Sequence, residues 1–284
     1  MIDSLSADFE HEIPNGSRLY FGKTATLKRE IENESSEILL QSGFNEILTP
    51  YFSYHQNLGV KSGILKFSDP LNNEIALRAD STVDVVRIVR RRLKNDNLKR
   101  WFYTQPIFKY PSKEFYQIGA EMIDERNLNL AINTAKKIFE KFGLKPVLQL
   151  SNIEIPKLIC QILDIPISIF EKGAIEILLE KDIKWLNEIT KATSFQDLKS
   201  LKNSVPSELK EAISDIENLE ISYENVRISL LYYSKMRYYD ELFFRFLQDN
   251  AILCSGGNYK IDGTNSSGFA VMVDAMIEKI IQKD

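Results

Sequence analysis

The sequence predicts an α+β fold built on an antiparallel sheet flanked by helices, and three observations carry that prediction. Two aromatic, β-prone runs, 101–109 and 115–123, are joined by a short Pro-Ser turn, as paired antiparallel strands are. Aromatic strands return at 226–234 and 237–247. These strands follow one another without regular intervening helices, which sets the layout apart from a parallel α/β sheet. The 284 residues allow one large domain or two modest ones. A composition of 44% hydrophobic and 27% charged residues is that of a globular chain, long enough to bury a core without disulfide or metal.

Residues 23–40 read as an amphipathic helix, with Leu27, Ile31, Ile38 and Leu39 on one face and charge on the other. Gly43 stands where a helix C′ glycine belongs. Phe44, Ile47 and Leu48 indicate a strand stopped by Pro50. The segment Glu74 to Arg78 alternates like a short strand. Ser81 or Thr82 is placed to cap a helix whose buried side carries Val83, Val86, Val89 and Leu93. After the paired strands, a helix at 127–142 ends at Gly143. Three parts are expected: a first part of the core over 1–150, a helical insertion over 151–222, and a C-terminal part of the core over 223–284. The insertion is punctuated by Pro156, Pro166 and Pro206. A Gly/Ser/Asn-rich stretch runs 254–268, and a last helix, 269–282, carries Val273, Met276, Ile277 and Ile280.

Several function classes are excluded at this level. No stretch approaches 18 uninterrupted apolar residues, so no membrane span is expected. The first twenty residues carry acids and no apolar core, unlike a secretory signal. Cys160 and Cys254 lie far apart and form no metal or redox pair, which fits a reducing compartment and a cytoplasmic protein. His11 and His55 are not at ligand spacing, so no metal centre or metal cofactor is expected. A net charge of −4 argues against a protein whose main work is gripping nucleic acid.

Gly22-Lys23-Thr24 mimics the end of a phosphate-binding loop, but Ser17 stands where the loop needs glycine and no hydrophobic strand precedes it; a helix-entry turn is the better reading. Arg87, Arg90, Arg91, Arg92, Lys94, Lys99 and Arg100 form a basic cluster. Phosphate contact is one reading, and the solvated face of the valine helix is the favoured one. Asp80 lies at a strand-to-helix turn. Gln117 and Glu121 are four apart in a strand and share a face. Tyr238 and Tyr239 lie in another aromatic segment. Singly, each is an ordinary surface acid or core tyrosine. Together they suit a small cationic or zwitterionic ligand, because carboxylates, an amide and phenols hold an ammonium and a polar ring.

In this order the segments resemble the class II aminoacyl-tRNA synthetases, and histidyl-tRNA synthetases in particular. The run from Gly43 to Pro50 after a long helix resembles motif 1. Leu77-Arg78-Ala79-Asp80-Ser81-Thr82 resembles the Leu-Arg-Pro-Glu-Gly-Thr segment. Pro106 to Lys109 with Phe115 to Glu121 resembles motif 2. Tyr238-Tyr239 through Phe243-Phe244 and Ser255 to Tyr259 resemble the two histidine-specific motifs, and Gly268-Phe269-Ala270 opens motif 3. The resemblance implies a six-stranded antiparallel sheet flanked by helices and a dimer formed through the motif 1 region. It implies a histidine site lined by Asp80, Thr82, Gln117, Glu121, Tyr239 and Tyr259.

The departures are as informative. Lys109, Ser234 and Ala275 stand where the synthetases carry arginines that hold ATP and stabilise developing phosphate charge. A lysine does not supply the bidentate fork of an arginine. Ser53 replaces a glutamate near the end of motif 1, and no anticodon-binding domain is expected after motif 3. An amino-acid pocket kept and an ATP site lost resemble the regulatory subunits of ATP phosphoribosyltransferase. That resemblance implies a non-catalytic protein without cofactor. It would assemble as a homodimer with a short-form catalytic subunit, at the first step of histidine biosynthesis, and take part in feedback control with free histidine as ligand. The alternative is a degenerate stand-alone synthetase-like protein that activates an amino acid or binds RNA.

Overall fold

The structure is a computed structural model that describes residues 13–94, 97–234, 236 and 238–283. His11 and the start of the chain lie outside the described residues.

Helix α1 (Gly22–Gln41) buries Ile31 and Leu39 and half-buries Leu27 and Ile38, the face the sequence marks as apolar. Gly43 takes φ +84° beyond its end, a backbone that L side chains rarely adopt, and lets Phe44 N–H reach Leu39 O. The strand expected over Phe44 to Leu48 shortens to β1 (Asn45–Glu46). Strands β2 (Phe52–Ser53), β3 (Lys66–Ser68) and β4 (Glu74–Leu77) form a small separate sheet in the order β2-β4-β3.

Arg78 ties this small sheet to the main one. It is fully buried, and its guanidinium donates to the carbonyls of Thr49, Pro50 and Pro106 at 2.7–3.1 Å. Helix α2 (Thr82–Ile88) continues as a wider turn over Val89–Leu93 and stops at Lys94, whose φ is +49°. Val83, Val86 and Val89 are buried as expected, whereas Leu93 is exposed because the wider turn carries it off the apolar face. Neither Ser81 nor Thr82 caps this helix through its side chain. Asp80 does so, accepting from Val83 N–H at 3.2 Å, which frees the two hydroxyls for other partners.

The main sheet combines β5 (Arg100–Lys109), β6 (Lys113–Met122), β7 (Val147–Asn152), β8 (Val226–Ile228), β9 (Tyr239–Gln248), β10 (Ala251–Ile261) and β11 (Thr264–Met272) with β1. Its order is β1-β5-β6-β11-β10-β9-β7-β8. It has eight strands, not six. The six inner strands run antiparallel, and short parallel strands, β1 and β8, extend it at either edge. Helix α3 (Leu128–Lys141) starts at Asn127, whose side chain accepts from Leu130 N–H. Helices α4 (Glu154–Leu163), α5 (Ser168–Lys172), α6 (Glu176–Leu179), α7 (Lys184–Lys191), α8 (Phe195–Leu201) and α9 (Ser207–Glu217) fill the interval between β7 and β8. Helix α10 (Val273–Lys283) closes the described chain. It begins four residues later than the sequence indicates, because Phe269 to Met272 finish β11.

The Gly/Ser/Asn-rich stretch thus forms most of β10, the turn after it and the first half of β11. Its low intrinsic β propensity is overridden by pairing on both sides. The alternation of strands divides the core. Phe102, Ile118, Ala120, Phe244, Phe246, Phe269 and Val271 face α1, α3, α10 and the helical segment. Trp101, Tyr103, Tyr259 and Ile261 face the opposite way, toward α2.

Candidate functional site

On the α2 side the sheet floor is made of small residues. Gly119 stands opposite Tyr103, and Gly268 opposite Glu121. A Cβ at Gly119 would collide with the Tyr103 ring, and one at Gly268 with the Glu121 carboxylate. The glycines therefore make the room in which a phenol and a carboxylate lie over the sheet.

Five of the six residues expected at the ligand site converge here. Glu121, on β6, is almost fully buried. Its Oε1 accepts from Thr82 Oγ1 at 2.8 Å and Tyr103 OH at 3.4 Å, and its Oε2 from Tyr259 OH at 2.7 Å. Asp80 accepts from Tyr238 OH at 2.9 Å and from Val83 N–H. Tyr239 packs edge-on to Tyr259, with ring centroids 6.5 Å apart, and against Tyr238 at 4.8 Å.

Gln117 is placed elsewhere. Its amide donates to Met272 Sδ, and it lines a neighbouring cleft. Four further residues complete the pocket. Tyr103 and Tyr238 donate to the two acids. Gln56 is buried and spends both ends of its amide, accepting from Ala79 and Asp80 N–H and donating to Asp80 O and Asp84 Oδ2. Asp84 also accepts from Ser53 Oγ at 2.6 Å, so the serine in place of the motif 1 glutamate has a carboxylate to serve. Tyr103 was legible as a large aromatic on the strand paired with a glycine-bearing strand. Gln56 carried no signal, since only the fold of the 53–59 turn brings it to Asp80.

Burial governs the electrostatics. It pushes Glu121 up to about 8 against the pull of its hydroxyl donors, raises Asp84 to about 6 and raises Asp80. Burial also raises Tyr103, Tyr238, Tyr239 and Tyr259, so these phenols stay protonated donors at neutral pH. Among the described residues the pocket's acids take their hydrogen bonds from hydroxyls, amides and backbone, with no cation among the donors, while Arg78 and Lys109 act on Asp84 and Asp80 through space. A ligand suited to the pocket supplies N–H donors, as an ammonium or imidazole does.

The neighbouring cleft, about 320 Å³, lies between β5, β6, β10 and the start of α10. Lys109, with its ammonium 5.6 Å from the Phe115 ring, and Ala275 line it. Asp274 accepts from Tyr116 N–H and Tyr20 OH, and Arg18 lies 3.9 Å from it and 3.7 Å from Glu278. Ser234 is buried, accepts from Met236 N–H and is not among the residues lining the cleft. The basic cluster is partly neutralised. Arg87 and Arg91 pair with Asp262, Lys99 with Asp124, and Arg100 with Glu125. Among the described residues no group of three His, Cys, Asp or Glu side chains is placed to hold a metal ion. No described helix is long and apolar enough to cross a membrane.

A glycine-floored antiparallel sheet with a polar pocket on one face is the fold of a class II aminoacyl-tRNA synthetase. It superposes on an ATP phosphoribosyltransferase regulatory subunit/histidyl-tRNA synthetase from Bacillus halodurans C with a TM-score of 0.85, at 20% identity, over 97% of this chain and 84% of that one. A chain of the ATP phosphoribosyl transferase (HisG:HisZ) complex from Thermotoga maritima superposes with a TM-score of 0.66 at 18% identity, over 87% of this chain and 97% of that one. The histidyl-tRNA synthetase family profile matches residues 20–276. The ATP phosphoribosyltransferase regulatory subunit of Wolinella succinogenes is 42% identical over 96% of this chain and 97% of its own length. The chain belongs to the family of ATP phosphoribosyltransferase regulatory subunits, within the histidyl-tRNA synthetase-like proteins.

Proposed function

We propose that this chain is the non-catalytic subunit that assembles with a short-form catalytic subunit of ATP phosphoribosyltransferase, at the first step of histidine biosynthesis, and takes part in its feedback control. One observation carries the reading: likeness along nearly the whole chain to a protein named as that regulatory subunit. Lys109, Ser234 and Ala275, at positions where synthetases carry arginine, support a chain that does not activate amino acids. The test has two arms. The purified chain should not support histidine-dependent exchange of pyrophosphate into ATP. It should raise the activity of a short-form catalytic subunit. Exchange well above the blank, or no effect on the catalytic subunit, overturns the reading.

Free histidine is the proposed ligand of the closed pocket, with Glu121 and Tyr239 at the imidazole and Asp80 at the ammonium. Thr82 and Tyr259 hold Glu121 in place, and Gln117 borders the site from the cleft. Among the described residues no cation hydrogen-bonds to these buried acids, which supports this reading, because an N–H-rich ligand supplies charged donors to them. The hydroxyls that now occupy the carboxylates must give way for it to enter.

The chain is further proposed to pair with a second copy through the motif 1 region. Leu40 at the end of α1, Leu48, and Tyr51, Phe52 and Tyr54 at and beside β2 are exposed there, with Phe67 of β3 packed edge-on to Phe52. Light scattering should give twice 32.8 kDa. The cytoplasm fits this role and the two buried free cysteines.

A further inference from the structure

A row of polar side chains crosses the sheet on the other side of Phe243 from the pocket's Tyr239. Gln149 on β7 stands opposite Arg245 on β9 and opposite Arg227 on β8. Directly paired residues share a face of a sheet. Neighbouring strands are ~4.8 Å apart, so the two arginine backbones lie about 10 Å from each other on one face, within reach of a common ligand.

Arg245 is half-buried and stacked on the Tyr232 ring at 3.9 Å, and Tyr232 is stacked in turn on Phe243. Its Nε and Nη2 both donate to the neutral Gln149 Oε1. Arg227 donates to its neighbour's carbonyl, Val226 O. Among the described residues no carboxylate pairs with either guanidinium. Burial lowers the Arg245 pKa, and the Tyr232 phenol, not a carboxylate, opposes that effect. Two residues along β7, on the same face, Ser151 Oγ is buried without a hydrogen-bond partner.

A guanidinium partly taken from water, with one neutral acceptor and a ring face as partners, gains from an anion, and exposed Arg227 two strands away is within reach to share it. We infer that the row Arg227–Gln149–Arg245 is a binding site for a phosphate-type oxyanion. The planar forks of two arginines match its oxygens, and the Tyr232 and Gln149 contacts hold one fork in place before the anion arrives. The site does not depend on the histidine reading, because none of its residues touches Asp80 or Glu121.

Titration calorimetry of the full chain with inorganic pyrophosphate at low salt tests this. Wild type should bind, and added salt should weaken binding. Arg245→Gln should weaken it by about tenfold or more, the usual loss for a hydrogen bond to a charged group. Arg227→Gln should weaken it less, and Lys109→Gln, in the cleft, should leave it unchanged. Circular dichroism checks the fold of each variant. If Arg245→Gln does not fold, Arg245→Lys, which keeps the charge and loses the fork, and Arg227→Gln carry the test. Absence of binding at millimolar pyrophosphate, or a loss that follows Lys109 and spares Arg245 and Arg227, overturns the site. Repeating the titration with free phosphate and adenosine 5′-monophosphate separates the sources. Tighter binding of the nucleotide assigns a nucleotide phosphate, and equal binding assigns the free anion.

Discussion

The carboxylate pocket and the cleft beside it share strands β5, β6 and β10 and differ in their chemistry. In the pocket, Asp80, Asp84 and Glu121 are buried and each carboxylate already accepts hydrogen bonds from protein donors. In the cleft, Lys109, Arg18, Asp274 and Glu278 mix both signs of charge around an open volume. A buried network tolerates little change, because each lost partner leaves a desolvated group unsatisfied. An open cleft lets water replace what is removed. The difference teaches where change is cheap: a cleft side chain can be exchanged with water taking its place, while the acids and hydroxyls of the pocket hold one another in place.

The sharpest way to break this contrast is steric. Gly268→Ala would set a methyl against Glu121 Oε2 and 2.7 Å from the backbone oxygen of Ala120, which cannot swing away. It should cost about 3 kcal/mol, the upper part of the range for overpacking. Ala275→Ser, at the cleft, should stay within about 0.5 kcal/mol. Urea denaturation of both checks the pair, and equal losses would dissolve the distinction.

Ligand binding sharpens it next. Glu121→Ala should weaken histidine binding by about 1.5–3 kcal/mol, or roughly ten- to a hundredfold, by calorimetry. An ammonium or imidazole N–H favours the ionised carboxylate, so binding should release protons and tighten as pH rises from 6 toward 8, where Glu121 titrates. Heats that do not change between buffers of different ionisation enthalpy would remove Glu121 from the ligand site.

The pH dependence of stability is a third measure. Folding raises Glu121 from its ordinary 4.5 to about 8. Between these values the folded chain keeps a proton that the unfolded chain has released. This group's stabilisation is therefore complete below the unfolded value and is lost as pH rises through the folded one. Asp84, raised to about 6, acts in the same direction over a lower window. Glu121→Gln, which cannot ionise, should gain in melting temperature relative to wild type as pH goes from 5 to 9. A constant difference would mean that Glu121 is not protonated in the folded chain. The smallest effect belongs to the surface. Arg91→Ala breaks an ion pair to Asp262 whose arginine is largely exposed, and should cost under about 1 kcal/mol.

Periodicity and composition sufficed for the elements whose burial is one-sided. The apolar stripe of α1, the valines of α2 and the aromatic pair β5 and β6 repeat at the spacing their secondary structure requires, so the sequence alone located them. Family-like motifs in order also marked Asp80, Thr82, Glu121, Tyr239 and Tyr259 for one place, and the fold brings them there. Other features depended on partners far away in the chain. Residues 254–268 carry glycine, serine and asparagine, poor strand formers, and become strands because β9, β10, β11 and β6 pair them and the pocket needs a low floor. Asp80, rather than the serine or threonine after it, caps α2, because Gln105 and Glu121 claim their hydroxyls. Gln56 reaches Asp80 and Asp84 only through the turn that carries it across the pocket, and Gln117 leaves the pocket for the cleft because its level on β6 faces Met272. Local pattern reports which side of an element is buried. Which groups meet on that side is set by strand register and turn geometry, and these belong to the tertiary structure.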